Sequence, residues 1–156
     1  MRRFKQQLPA EEVRQILAEA TNGVLSLVDV DGTPYGVPLS FVYDGERTIY
    51  FHCACKGRKM ECLQHCRQAS FCVIALDSIR PEEFTTYFRS VIVGGNVSTI
   101  EDESEKIAAL LTLCRKYSPD CDCEHEIERG LSHVAILRLD IETMCGKESV
   151  ELTHER

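Results

Sequence analysis

Two Asp-Gly pairs, Asp31-Gly32 and Asp44-Gly45, divide the first third of the chain into short segments. An Asp-Gly pair between apolar segments is a strong signal for a β-hairpin, because glycine readily adopts the positive φ that tight turns require. The segments around the two pairs are rich in branched and aromatic side chains, which favour strands; they are residues 23–30, 35–43 and 48–52. The pattern therefore predicts three consecutive antiparallel strands that form a meander.

The rest of the chain predicts three further strands and three helices. Strands are expected over residues 70–76, 84–100 and 133–141, the second of them with a bend or bulge at Gly94-Gly95. Helices are expected over 9–21, 57–66 and 101–117, and the polar segment 120–130 is expected to be irregular. Six strands with helices between them favour one domain over residues 1–156, a six-stranded antiparallel β-barrel of the α+β or mainly-β class with flanking helices.

Composition narrows the classes of function. The formal net charge of −7 disfavours general nucleic-acid binding, which needs a basic face for the phosphates. No apolar run approaches the roughly 20 residues that span a bilayer. The start of the chain, residues 1–7, is basic but leads into a polar helix rather than an apolar one, which argues against a secretory signal. We therefore expect a cytoplasmic protein that binds neither nucleic acid nor a membrane.

Nine cysteines are present, an odd number that argues for reduced thiols rather than a disulfide framework. Cys72 and Cys114 lie in apolar segments and are interpreted as small core residues. Cys121, Cys123 and His125 have the side chains that bind zinc or iron, but a structural zinc site normally combines two Cys-x-x-Cys pairs. We interpret this segment as a surface loop and predict no metal site.

Three cations crowd the predicted start of the second helix: Lys56, Arg58 and Lys59. A helix N-terminus already carries partial positive charge and unpaired N–H groups, so cations there repel the helix dipole and one another. A bound phosphate would remove this conflict, and Gly57 would let it approach the backbone. The alternative is a basic turn that water screens.

The same stretch and three others resemble the pyridoxamine phosphate oxidase-like flavoproteins, in particular the branch that includes the nitroimidazole-resistance proteins. Phe51-His52-Cys53-Ala54 followed by Gly57-Arg58-Lys59-Met60-Glu61 is similar to the family's F-H-x-A…G-x-K segment. Residues 36–41, 87–95 and 141–148 are similar to three further strand motifs of the family. The resemblance extends over nearly the whole chain, from about residue 9 to 149, and the order and spacing of the four stretches make it specific.

The resemblance implies a split β-barrel that forms a homodimer, with flavin mononucleotide (FMN) bound at the subunit interface. It implies that Lys59 and Arg58 hold the phosphate. The other cofactor-binding residues implied in this way are Val37, Pro38, Leu39 and Ser40 along the isoalloxazine ring, Phe51, His52 and Ala54 in the same site, and Arg89, Ser90 and Val91 from the other subunit. The chain lacks a G-x-G-x-x-G fingerprint for a dinucleotide, which favours FMN over FAD.

His52 is the one candidate catalytic residue. A histidine in this motif lies at the active site of nitroimidazole-resistance relatives, and the resemblance gives that role to His52. An imidazole can donate or accept a proton near neutral pH. The alternative is a structural histidine that a backbone carbonyl holds.

The function implied is an FMN-dependent oxidoreductase that receives electrons from a small-molecule donor and reduces a small electrophile such as a nitroaromatic. Two alternatives stay open: a flavin- or haem-binding module without turnover, and a zinc-stabilised or redox-sensing protein built on the thiols. The chain departs from the family's pattern at Cys53, where glycine is usual, and at Cys145, where a small polar residue is usual.

Overall fold

The computed structural model describes residues 4–154, which form one antiparallel seven-stranded sheet with four α-helices around it. Residues 1–3 of the basic start lie outside the described residues. The helices are α1 (Ala10–Glu19), α2 (Arg58–His65), α3 (Glu103–Tyr117) and α4 (Cys123–Gly130). The strands are β1 (Asn22–Val28), β2 (Pro34–Ser40), β3 (Val42–Tyr43), β4 (Thr48–Ala54), β5 (Gln68–Arg80), β6 (Thr85–Thr99) and β7 (Val134–Glu148).

The order of the strands corrects the expected six-stranded barrel to an open sheet of seven strands. Across the sheet the order is β2-β1-β5-β6-β7-β4-β3, so that β2 and β3 form the two edges and do not pair with each other. The single strand expected over 35–43 is in fact these two edge strands, separated only by Phe41. Because two Cα atoms on either side of one residue are at most about 7 Å apart, the sheet must curl until its edges meet at Phe41.

Phe41 is held at this junction on both sides. Its ring is fully buried and packs edge-on against Phe71, with 4.8 Å between the ring centroids. Its backbone N–H donates to the hydroxyl of Tyr117 at 2.9 Å. The same hydroxyl lies 2.6 Å from the carbonyl oxygens of Phe41 and Thr21 and donates to one of them. The end of α3 thereby supplies the hydrogen bonds that the interrupted strand cannot make.

Two hydrophobic clusters pack on the sheet. The larger one fills the inside of the curled sheet and includes Leu25, Phe51, Phe71 and Val91. The smaller one lies between α3 and the outer face of the sheet and consists of Val42, Ile100, Ala109, Leu113 and Ile136. None of the helices within residues 4–154 has the length and apolar composition that a membrane-spanning helix needs.

The segment expected to be irregular contains α4, which corrects that prediction. Asp122 caps this helix by accepting a hydrogen bond from the backbone N–H of His125 at 3.2 Å. Ile127 is the one buried residue of α4. With a single buried apolar side chain, α4 has no helical periodicity in its sequence. The sequence analysis therefore detected only that this segment is polar.

The bulge expected at Gly94-Gly95 is confirmed by a shift of register between these residues in the pairing of β6 with β7. A Cβ atom at Gly95 would collide with the backbone carbonyl of Asp140. Only glycine therefore allows the two strands to approach here.

Replacing Tyr117 with phenylalanine should destabilise the protein by about 1–3 kcal/mol, because the buried N–H of Phe41 loses its acceptor. Urea denaturation measures the loss. Tyr87→Phe is the matched control, since the Tyr87 hydroxyl donates only to the exposed carboxylate of Glu83. Equal stabilities of the two variants would contradict the role given to Tyr117.

Candidate functional site

The candidate site begins where β4 leaves the sheet and leads into α2. Side chains alternate along β4: Phe51 and Cys53 point into the core, whereas His52 and Ala54 are exposed on the outer face. Strand β4 pairs with β7 along its whole length, with His52 opposite Ile136. The strand thus presents His52 outward from a rigid element. The side chain of Phe51 is fully buried, so only its backbone can contact a ligand.

Gly57 forms the N-cap of α2 with a φ of 118°, a left-handed region that favours glycine. Its carbonyl accepts the first hydrogen bond of the helix, from Met60 at 2.8 Å. No side chain of the described residues caps this end of the helix. A Cβ atom at Gly57 would meet nothing within 4 Å, so the space beside the helix start is open. Unpaired N–H groups in open space are suited to an anion.

Arg58 is fixed by two contacts that the sequence analysis missed. Its Nε donates to Oδ2 of Asp29 at 2.6 Å, and its guanidinium lies over the ring of Tyr35, 4.4 Å from the centroid. Asp29 comes from the end of β1 and is nearly buried, whereas Arg58 is about half exposed. The only signal for this contact in the sequence is that an acidic residue, Asp29, comes just before the first predicted turn. Asp29 thus holds Arg58 by Nε and leaves both terminal nitrogens for another acceptor.

Asp29 is stabilised as a carboxylate. A hydrogen bond from the backbone N–H of Val30, at 2.8 Å, and the bond from Arg58 lower the pKa of Asp29 below its usual range. The hydrogen bond to Asp29 in turn raises the pKa of Arg58. The pair is therefore charged on both sides at neutral pH.

Cys53 lies in the core rather than beside a ligand. The side chain is buried, and burial raises the pKa of this thiol although the charge of Lys59 opposes the shift. A neutral, buried thiol is a packing residue and a poor nucleophile. Cys53, which stands where the family pattern has glycine, therefore affects the packing of the core beneath the candidate site.

Strand β2 lies against β4 and carries four of the residues implied by the family resemblance. Pro38 and Ser40 are exposed, and Val37 and Leu39 are partly buried against the main core. Proline is tolerated here because β2 is an edge strand.

Arg89, Ser90 and Val91 lie in β6, far from His52 in the same chain. They pair with Glu148, Lys147 and Gly146 near the end of β7, whereas His52 pairs with Ile136. Eleven residues of strand separate Ile136 from Lys147, which is roughly 35 Å along β7. Val91 is fully buried. One chain therefore does not bring Arg89, Ser90 and Val91 next to His52.

Arg89 has a partner of its own in this chain. Its Nε lies 3.2 Å from Oε2 of Glu148, whose side chain is fully buried. This pair holds the guanidinium of Arg89 against the end of β7.

The surface also has grooves outside the predicted site. One, of about 400 Å³, crosses the outer face of the sheet along Ser26, Ser70, Gly94 and Thr143. Another, of about 760 Å³, lies at the far end of the β5–β6 hairpin, along Ile79 and Phe84. None of the cofactor residues implied by the resemblance lines either of these two grooves. In residues 4–154 no three His, Cys, Asp or Glu side chains are arranged to hold a metal ion.

Comparison with known proteins agrees with this architecture. The profile of the pyridoxamine 5'-phosphate oxidase family matches residues 9–148. The chain belongs to this family. No curated protein matches it significantly.

Solved structures with the same fold include three whose descriptions are informative. A candidate 5-nitroimidazole antibiotic resistance protein from Bacteroides thetaiotaomicron is 24% identical, with a TM-score of 0.77 over 91% of this chain and 86% of that one. The flavocytochrome Anf3 from Azotobacter vinelandii is 24% identical, with a TM-score of 0.74 over 90% and 67%. An FAD and haem binding protein from Mycobacterium smegmatis is 22% identical, with a TM-score of 0.76 over 93% and 73%.

Within this family member, Asp29→Asn should lower stability at neutral pH, and the loss should fade in acid. Because the folded pKa of Asp29 is lowered, its stabilising effect is present above the unfolded value near ~3.9 and is lost as the pH falls through the folded value. Urea denaturation of wild type and variant at pH 7 and at about pH 3 measures this. The exposed Asp120→Asn serves as control, and a pH-independent difference for Asp29→Asn would refute the assignment.

Proposed function

We propose that this protein binds FMN with its phosphate at the N-terminus of α2, held by Lys59 and Arg58, and acts as an FMN-dependent oxidoreductase. The observation that carries the proposal is the uncapped start of α2, where three cations surround Gly57. Cations at this end of a helix are unfavourable until an anion joins them.

The donor groups at this site fit a phosphomonoester. Arg58 is held by Asp29 and Tyr35, so its terminal nitrogens are oriented before a ligand arrives. Lys59 adds a point charge from the first turn of α2, and the backbone N–H groups of that turn complete the set. Preorganised donors bind with little loss of side-chain entropy.

FMN is favoured over FAD by the number of phosphate sites. A single cluster of cations at one helix start accounts for one phosphate, and a dinucleotide would need further contacts for its second phosphate and adenosine. The Mycobacterium smegmatis structure is described as binding FAD, which supports a flavin in this fold. Mass spectrometry of the cofactor released from purified protein tests the proposal. FAD, or no flavin after reconstitution, would overturn it.

The ring system would lie along the outward surface of β2 and β4, beside Pro38, Ser40, His52 and Ala54. These side chains are exposed on two strands that lie beside each other in the curled sheet. When bound, FMN would supply the electron transfer. The protein would orient it, and His52 would exchange a proton with a small electrophile such as a nitroaromatic. The side chain of His52 is exposed on the outer face of β4, which supports a functional role over a structural one.

A homodimer would complete this site. Arg89, Ser90 and Val91 are remote from His52 within one chain, so they can join it only from a second subunit. The outer face of the sheet carries an exposed apolar row in which Val24 pairs with Cys72 and Cys72 with Ile92. Exposed apolar rows of this kind mark association surfaces. We place the dimer in the cytoplasm, where nine free thiols remain reduced.

A haem-binding module without turnover is the second candidate. The exposed imidazole of His52 could serve as an axial ligand, and the Azotobacter vinelandii neighbour is described as a flavocytochrome. The absorption spectrum separates the two, since a flavin gives two bands and a haem gives one intense Soret band.

Lys59→Ala should weaken FMN affinity by about 1.5–3 kcal/mol, the range for a lost charge-assisted hydrogen bond. Arg58→Ala should weaken it less, because Asp29 already neutralises part of that charge. Fluorescence titration of FMN into apoprotein measures both. Arg115→Ala removes an exposed cation outside the site and is the control. Unchanged affinity in Lys59→Ala would place the phosphate elsewhere.

His52→Ala should fold, dimerise and keep FMN, yet lose most turnover with nitroaromatic acceptors. The reason is that this imidazole is exposed on the outer face of β4. Activity per bound flavin and thermal stability are measured together. A fall in stability with wild-type activity per flavin would show that His52 is structural.

Ile92→Lys should convert the proposed dimer to a monomer, because a charge would replace the most exposed side chain of the apolar row. Sedimentation velocity at micromolar concentration measures the change. Val30→Lys, at an exposed position in the first hairpin turn, should leave the dimer intact. Flavin-bound wild type that sediments as a monomer would contradict the dimer itself.

A further inference from the structure

The connection between α3 and α4 is folded so that the first residue of α4 returns to the last turn of α3. The backbone N–H of Ser118 donates to the carbonyl of Cys114 at 2.7 Å and so closes α3. The carbonyl of Ser118 then accepts from the N–H of Cys121 at 3.1 Å and from the thiol of Cys123 at 3.6 Å. Three cysteines are thereby gathered around one residue.

Cys114 and Cys123 are neighbours through Ser118. The Sγ of Cys123 lies 3.6 Å from the carbonyl oxygen of Ser118, and the N–H of the same residue donates to the carbonyl of Cys114. The pKa of the Cys114 thiol is raised mainly by burial, and the neighbouring thiols of Cys123 and Cys121 add to the shift. Cys114 and Cys123 are partly buried, whereas Cys121 is exposed.

The rest of the helix pair keeps these thiols together. At the opposite end, Nζ of Lys106 in the first turn of α3 donates to the carbonyl of Leu131, just after α4, at 2.6 Å. On the sheet side, Ala109 and Leu113 anchor α3 against Ile136. Because both ends of the helix pair are fixed, Cys114 and Cys123 stay near each other, as the formation of a disulfide requires.

We propose that Cys114 and Cys123 form a redox-responsive dithiol, which a hydroperoxide oxidises to an intrachain disulfide that links α3 to α4. This proposal does not depend on flavin binding. The pair includes none of the residues that the proposed oxidoreductase chemistry uses.

The reaction has two steps. The sulfur of Cys123 attacks the peroxide, the O–O bond breaks, one oxygen leaves as water and the other remains as a sulfenic acid on Cys123. The sulfur of Cys114 then attacks that sulfur, the S–S bond forms, the S–O bond breaks and a second water leaves. Two thiols lose two electrons and two protons, and one hydrogen peroxide is reduced to two waters.

The disulfide should stabilise the fold because it closes a loop of ten residues, 114–123, in the unfolded chain. For a chain of this size, a loop of that length corresponds to a rise in Tm of about 5–10 °C. Tyr117 lies one turn after Cys114 in α3 and holds the junction at Phe41. The stabilisation would therefore reach the part of the sheet where the two edges meet.

The test uses the fully reduced protein treated with a small excess of hydrogen peroxide, followed by alkylation and tryptic digestion. Cleavage after Lys106, Arg115, Lys116 and Arg129 separates the two thiols, so the disulfide appears as peptide 107–115 joined to peptide 117–129. The expected result is this joined pair as the main product, its release by dithiothreitol, and the rise in Tm in the oxidised protein.

Cysteine-to-serine variants identify which two cysteines form the disulfide. Cys114→Ser and Cys123→Ser should each lose both the joined peptides and the rise in Tm, and either one suffices if the other fails to fold. Cys121→Ser, and Cys72→Ser on the outer face of the sheet, should retain both. Joined peptides that disappear in Cys121→Ser, a bond within peptide 117–129, or oxidation of single cysteines without a disulfide would overturn the proposal.

Discussion

The fold depends on how Phe41 is held between the two edges of the sheet. Strands β2 and β3 are neighbours in the chain but lie at opposite ends of the strand order, so one residue must join edges that do not pair. Its ring is anchored in the core on Phe71, and its backbone N–H donates to the hydroxyl of Tyr117. A buried N–H without an acceptor would cost as much as a lost hydrogen bond. The helix that supplies Tyr117 is therefore part of the closure of the sheet.

The proposed phosphate site follows from a second constraint, which is electrostatic. Three cations at the start of α2 oppose the helix dipole, and Asp29 offsets only one of them while it orients Arg58. The remaining charge and the uncapped N–H groups face open space beside Gly57. A single chain leaves this surface open, and because Arg89 is distant along β7, the proposed site would need a second subunit to bring Arg89 to the ligand.

Local signals in the sequence predicted much of the fold. The Asp-Gly turns, the helices α1, α2 and α3, and the bulge at Gly94-Gly95 lie where they were expected, with boundaries that shift by a few residues. The prediction failed where the pattern was weak or continuous. Helix α4 buries only Ile127, and Phe41 divides a segment whose side chains suit one unbroken strand. In both places the local sequence is compatible with the predicted structure as well as with the observed one.

The sequence by itself determined the turns, the amphipathic helices, the family and the cluster of cations before α2, because each depends on residues within a few positions of one another. Only the tertiary structure decided that Asp29 and Tyr35 hold Arg58, that the side chains of Phe51 and Val91 are buried, and that Cys114 lies near Cys123. These contacts join segments of different elements. Their partners are set by strand order and by the packing of helices on the sheet, which depend on burying the whole apolar surface at once.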